Sequence, residues 1–179
     1  SRLASELAEH WRRITGRSRD HHLGAAFSST SVVQRILLEN LRNHPEYDEN
    51  QRLAWRNRLR HFEQESRICV PSAVAALRRG DLRRFGEIAE ESQRAAEELL
   101  GNQVPETIQL VRLAKDLGAV ASSAFGAGFG GSVWALVEES RKQAFSGEWL
   151  RRYTDAFPDH GERAAVYPVR AAPPAMILN

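Results

Sequence analysis

Along the first two thirds of the chain apolar residues recur every three or four positions, and beyond about residue 118 that period stops. The first regime predicts amphipathic helices and the second predicts short strands. Leu3, Leu7, Trp11 and Ile14 mark one face of a helix over residues 2–14. Gly16 to Ser31 reads as loop. A helix from Val32 to Asn43 should end at His44-Pro45, because the residue before a proline avoids the helical region. Trp55, Leu59, Phe62, Ser66 and Cys69 then line one stripe of a long helical stretch over residues 48–79, which Pro71 should break or kink. Gly80-Asp81 reads as a stop and a restart, a glycine closing one helix and an aspartate capping the next. That next helix, residues 81–100, carries Leu82, Phe85, Ile88, Ala89, Ala96 and Leu99 and ends at Gly101-Asn102. Pro105 suits the first turn of a further helix that closes near Leu117-Gly118.

After the change of period, residues 119–125 and 132–138 read as strands around a glycine loop. A helix is expected over 139–153, a strand over 163–170, and a short edge strand over Ala175-Met-Ile-Leu178. Helices first, then strand, loop, strand, helix and strand, argue for an α+β fold whose antiparallel sheet is covered by helices on one face.

The loop between the first two strands is the densest chemical signal. In Gly126-Ala-Gly-Phe-Gly-Gly131 four glycines fall within six positions. Glycine is costly in backbone entropy, so such crowding points to a sharp turn or to close approach by a ligand. Several backbone N–H groups converging without side chains in the way form a nest for a phosphate. The bland alternative is a tight hairpin turn that needs positive φ and nothing more. No Gly-Lys-Ser/Thr follows, which excludes a Walker loop, and Ser132–Val137 continues as strand, which excludes the dinucleotide fingerprint.

Composition narrows the partners. The chain has 179 residues, 42% hydrophobic and 27% charged, which fits one globular domain. No apolar run is long enough for a membrane span and no export signal opens the chain. A single cysteine, Cys69, precludes an intrachain disulfide; with helical apolar neighbours it reads as a buried structural thiol in a reducing, cytoplasmic setting. Of the 25 basic residues only Lys115 and Lys142 are lysines, and arginine favours planar oxyanions. Yet acids interleave with the arginines, as in Arg78-Arg79-Gly-Asp81-Leu-Arg83-Arg84, and the net charge is only +2. This predicts an ion-paired helix face, not a nucleic-acid surface. Ser1 in place of methionine predicts a fragment or a processed product. His21-His22 is adjacent in a loop with no cysteine or clustered acids, so no metal site is expected. His10, His44, His61 and His160 are scattered, and Trp11, Trp55, Trp134 and Trp149 fall on apolar faces as core residues.

With its flanking strands, Gly126-Ala-Gly-Phe-Gly-Gly131 resembles the third motif of the GHMP small-molecule kinases, and within them the Gly-Gly-Gly-Phe-Gly-Gly of galactokinases. Upstream, Arg58-Leu-Arg-His61, then Ala76-Leu-Arg-Arg-Gly-Asp81-Leu-Arg-Arg-Phe-Gly86, then Glu91-Ser92, resemble the galactokinase helices in order and approximate spacing. Residues 164–169 resemble the family's closing strand. The resemblance implies a division into an N-terminal helical segment, residues 1–44, and a GHMP-kinase C-terminal-like unit, residues 45–179. It implies a ferredoxin-like antiparallel sheet packed against helices. It further implies transfer of the γ-phosphoryl of ATP, with Mg, to the anomeric hydroxyl of galactose or a related sugar. Gly126, Ala127, Gly128, Phe129, Gly130 and Gly131 would line the nucleotide phosphates. The resemblance puts no catalytic residue and no metal ligand on this chain; both belong to an N-terminal kinase domain that would be its partner.

The chain also departs from the family. It has no Gly-x-Met-Asp-Gln-like stretch. Gly24-Ala-Ala-Phe-Ser28-Ser29-Thr30-Ser31 is only faintly similar to the family's phosphate loop and lacks its second glycine. Ser122-Ser123-Ala124-Phe125 stands where galactokinases have Ser-Arg-Met-Thr, Ala127 replaces the middle glycine, and Glu91-Ser92-Gln93 replaces a Ser-His pair. These departures motivate a second reading, a non-catalytic ligand-sensing or interaction module that keeps the kinase fold.

Overall fold

A computed structural model describes residues 2–42, 44–45, 47–126 and 128–170. The expected helices form close to their predicted limits: α1 (Arg2–Thr15), α3 (Val33–Arg42), α6 (Leu82–Ala95) and α7 (Pro105–Asp116). Between α1 and α3, where the sequence predicts loop, lies a helix, α2 (Leu23–Ser29). Gly24 and two serines weaken its propensity, but the His22 ring accepts the Ala25 N–H at 3.0 Å and caps it. Leu23, Ala26 and Phe27 then bury one face, so tertiary packing decides. The faintly phosphate-loop-like Gly24–Ser31 segment is therefore core-forming helix followed by a turn.

The long stretch comprises α4 (Glu49–Glu63), a π-helical turn (Gln64–Cys69) and α5 (Val70–Arg78), joined without leaving helical backbone. Asp48 and Gln51 cap each other at its start, at 2.8 and 3.1 Å. Pro71 neither breaks nor ends it. The preceding turn widens so that the Val70 N–H reaches Glu65 O, and the proline falls in the first turn of α5, where its missing N–H costs least. Gly80, at φ 69, and Asp81, which accepts the Arg84 N–H at 3.0 Å, make the predicted stop and restart. The end of α6 winds into a second π turn (Ala96–Leu100), which Gly101 closes in left-handed backbone.

Two strands pair antiparallel, β1 (Ala121–Ala124) with β2 (Val133–Leu136), in the register Ala121↔Leu136 to Ala124↔Val133. A 3₁₀ turn (Glu139–Arg141) leads into α8 (Lys142–Ala156), and a short α9 (Pro158–Gly161) follows. The chain is thus α+β and helix-rich, but the sheet is not covered on one face only. Val133, Ala135 and Val137 turn toward α7 and α8 and pack with Leu113, Phe145 and Trp149. On the opposite face Trp134 lies 6.1 Å from Phe85 of α6. Alternation along the strand assigns the two faces. The strand expected over 163–170 does not form. Ala164 and Val166 still pack on the α7–α8 core, but Pro168 lacks an N–H for a ladder and Arg170 is drawn to Glu139 at 3.0 Å. The edge strand expected at Ala175–Leu178 lies outside the described residues.

A separate core gathers Leu7, Trp11, Leu23, Ala26, Val33, Leu37, Leu41, Trp55 and Leu59. Arg67, on the π turn, fastens this part to the long helix. It donates to the carbonyls of Phe27, Thr30 and Ser31 at 3.2–3.4 Å, and its guanidinium carbon stands 5.0 Å from the centre of the Phe27 ring. The arginine-rich face of α6 is ion-paired as expected: Arg83 with Glu87 at 2.6 Å, and Arg84 with Glu87 and Glu91 at 3.0 and 3.3 Å.

Candidate functional site

The glycine run is the connection between β1 and β2. Phe125 N–H donates to Ser132 O at 2.8 Å, one step beyond the ladder, and closes the neck of the hairpin. Inside that neck Gly126, Gly128, Gly130 and Gly131 take φ of 80°, 80°, 105° and 98°, backbone that L side chains rarely adopt. Ala127 lies outside the described residues. Phe129 adopts φ 62° although it is not a glycine, a strained choice that the sequence reading did not anticipate. The structure thus brings the described members of the predicted set together in one loop.

Two contacts from α6 and its extension hold this loop, and neither was assigned a role from the sequence. Gln93, only 4% exposed, accepts on Oε1 from the Ala124 N–H at 2.8 Å and from Ser123 Oγ at 3.0 Å. Its amide nitrogen donates to Glu97 at 2.9 Å. Farther along, the carbonyl of Asn102 accepts the Phe129 N–H, and a Cβ at Gly128 would collide with the Asn102 backbone and side chain. Helix α6 and the segment just after its π turn therefore grip the neck and the tip of the hairpin. A third close approach sets the distance between helix and strand, because a Cβ at Gly86 would overlap the carbonyl of Val120. Gln93 had a legible signal, a polar residue one turn beyond Ala89 on the apolar stripe of α6.

The other glycines face the opposite way. A Cβ at Gly126, Gly130 or Gly131 would meet nothing within 4 Å, so packing does not demand glycine there; backbone conformation does. Among the described residues, the N–H groups of Gly126, Gly128, Gly130 and Gly131 make no hydrogen bond. Successive backbone N–H groups in a turn conformation are able to cradle an anion. No lysine or arginine occurs from Ala119 to Ser140, so the loop offers dipoles without formal charge. Phe125 and Phe129, 68% and 76% exposed, flank it as bare rings.

Comparison with known proteins fits this geometry. Residues 73–155, from α5 through most of α8, match the family model described as GHMP kinases C terminal. The chain is 36% identical over 118 residues to a galactokinase of Roseiflexus sp. (strain RS-1), covering 65% of this chain and 29% of that protein. It is 35% identical over 103 residues to a galactokinase of Thermococcus kodakarensis, with 58% and 29% covered. With a human galactokinase it shares 42% over 84 residues, 46% and 21% covered. The chain carries a galactokinase-like GHMP-kinase C-terminal domain. It spans less than a third of the length of these relatives.

Within this galactokinase-like domain the departures at Gln93 and Ser123 satisfy each other, since the two side chains are hydrogen-bonded. Arg58 and His61, at the start of the resemblance, lie along α4. Burial draws the Arg58 guanidinium and the His61 imidazole below their usual pKa values; for His61 the carboxylate of Glu65 opposes that effect and Arg58 adds to it. Burial also pushes the Cys69 thiol up, with the Glu65 carboxylate adding to it, so the sulfur stays protonated and unreactive, as a structural thiol should. Trp11, Trp55 and Trp149 are buried in the two cores, as their apolar faces predicted. Among the described residues no helix is long and apolar enough to cross a membrane.

Proposed function

We propose that the complete protein is an ATP-dependent sugar 1-kinase resembling galactokinase, and that this chain supplies the glycine wall beside the nucleotide phosphates. The observation that carries the reading is the hairpin loop, with four amides at positive φ that are unpaired among the described residues and open space where side chains would stand at Gly126, Gly130 and Gly131. Phosphoryl transfer depends on positioning and on stabilising negative charge. Gly126, Ala127, Gly128, Phe129, Gly130 and Gly131 would lie against the nucleotide phosphates, with Gln93 and Asn102 fixing the loop from behind. ATP fits these residues because backbone amides, unobstructed by side chains, are suited to phosphate oxygens.

The loop carries no positive charge, so the remaining charge stabilisation has to come from elsewhere. Among the described residues no three His, Cys, Asp or Glu side chains converge to hold a metal. From the galactokinase resemblance we assign the magnesium ligands, the catalytic base and most sugar contacts to an N-terminal kinase domain that closes over this one. In this reading residues 1–44 are an N-terminal helical segment and residues 45–179 the kinase C-terminal-like unit. The hydrogen-bonded pair of Gln93 and Ser123 supports a maintained loop over a decayed one.

The test is γ-phosphoryl transfer from ATP to galactose and related sugars by the complete protein, with Gly130→Val as the loop variant. The reading expects 1-phosphorylated sugar and, in the variant, a raised KM for ATP, together with a lowered melting temperature because valine is strained at φ 105°. Nucleotide binding without transfer to any sugar would favour the non-catalytic module. Unchanged kinetics in Gly130→Val would remove the loop from the site.

A further inference from the structure

A second cleft lies in the other half of the molecule, between the end of α3 and the start of α4. Its volume is about 400 Å³, within the range of small-molecule sites. Leu38, Leu41 and Leu53 form an apolar wall, and Arg42, Arg52 and Arg56 bring three guanidinium groups to it. Arg52 and Arg56 are one helical turn apart on α4 and so share a face.

These arginines differ from the ion-paired ones on α6. Among the described residues none of the three meets a carboxylate within salt-bridge distance. Arg52 is anchored by one bond, from Nη2 to the carbonyl of His44 at 3.1 Å, while its Nε–H is buried and makes no hydrogen bond. A buried charged donor without an acceptor is expensive, and a native protein normally supplies the acceptor. Two carboxylates also line the cleft. Glu39 is engaged by Arg35 at 3.4 Å, and Glu49 sits in the first turn of α4, where the helix dipole favours it. The cleft is thus net cationic, with its forked donors beside an apolar wall.

We propose that this cleft binds a small phosphate monoester with an apolar body. The guanidinium fork matches the oxygen spacing of phosphate, and three cations suit a dianion better than a carboxylate. The guanidinium groups of Arg42, Arg52 and Arg56 close on the phosphate oxygens, and the leucines cover the organic part. The inference is independent of the kinase reading, because it uses neither the hairpin loop nor the family match.

Amide shift mapping of the 179-residue chain with phenyl phosphate, benzoate and inorganic phosphate tests it. The expected result is saturable phenyl phosphate binding tighter than about 1 mM, with shifts at Leu38, Leu41, Arg52 and Leu53. Loss of one charge-assisted bond in Arg52→Gln should weaken binding about tenfold. Arg56→Gln, at an exposed side chain with no hydrogen bond in the fold, should weaken binding without affecting folding, while Arg83→Gln on α6 should leave it unchanged. No saturation, or equal loss in Arg83→Gln, overturns the site. Benzoate binding as tightly overturns the phosphate assignment, and inorganic phosphate binding as tightly overturns the apolar body. Sedimentation with phosphatidic acid vesicles in the absence of phenyl phosphate binding would overturn it in favour of a lipid surface.

Discussion

Around Trp11 and Trp55 the polar tips of buried rings are taken up inside the chain. Trp11 Nε1 donates to Asp20 at 2.8 Å, Trp55 Nε1 donates to Glu6 at 3.2 Å, and His10 lies between Asn40 and Arg13, at 2.8 Å from each. Arginine can only donate, so His10 Nδ1 is the acceptor and Nε2 carries the proton toward Asn40. In the glycine hairpin the pattern is reversed: four backbone donors find no acceptor among the described residues and two phenylalanine rings stand in solvent. Folding accounts for the first region without a ligand. The second is held at its neck by Gln93 and at its tip by Asn102, yet among the described residues nothing accepts from its four glycine amides. That difference is what the proposed phosphate site rests on.

The contrast can be broken most forcefully in the core. Leu59, fully buried, should lose about 2–5 kcal/mol as Leu59→Ala, seen in denaturant unfolding, with the loop amides unshifted. At the joint between helix and sheet, Gly86→Ala forces a methyl against the Val120 carbonyl. The overpacking should cost about 1–3 kcal/mol despite the better helix propensity of alanine. Calorimetric melting would show the loss, and an unchanged melting temperature would refute the close approach. Gln93→Leu leaves the Ala124 N–H and the Ser123 hydroxyl without their acceptor, at about 1–2 kcal/mol. Hydrogen exchange should then speed up at Ala124.

Two finer effects sharpen the same comparison. The Asp20 carboxyl is held below the usual carboxylate range, first by the Trp11 donor and then by Ser29 and Arg17, against its burial. A carboxyl depressed by folding adds stability above its unfolded pKa and loses it as pH falls through the folded one. Unfolding midpoints should therefore drop on the acid side of the usual carboxylate range, and Asp20→Asn should flatten that limb. The smallest expected change is a gain. Phe129→Gly relieves a left-handed residue whose ring is mostly solvated, and should stabilise the fold by at most about 1 kcal/mol.

Much of this was legible along the chain because its causes are local. Stripes at three and four residues marked α1, α3, α4 and α6, and Gly80-Asp81 marked a boundary, since caps act within one turn. The glycine loop was legible as a hairpin between strands for the same reason. What escaped depends on partners distant in sequence. Helix α2 exists because Leu23, Ala26 and Phe27 have a core to enter, and the segment over 163–170 stays out of the sheet although its apolar positions reach the core. The grip of Gln93 on Ala124 and of Asn102 on Phe129 spans some thirty residues and has no local pattern. The arginine cleft was hidden likewise, because composition showed arginines but not which ones lack acids.

The central claim is that the unpaired amides of the hairpin face nucleotide phosphates in the complete protein. Amide shift mapping with Mg–ATP on the complete protein tests this most directly. The account predicts the largest shifts at Gly126, Gly128, Gly130 and Gly131, with small ones at Leu37 and Leu59. Tight nucleotide binding that leaves those four glycines unshifted would contradict it.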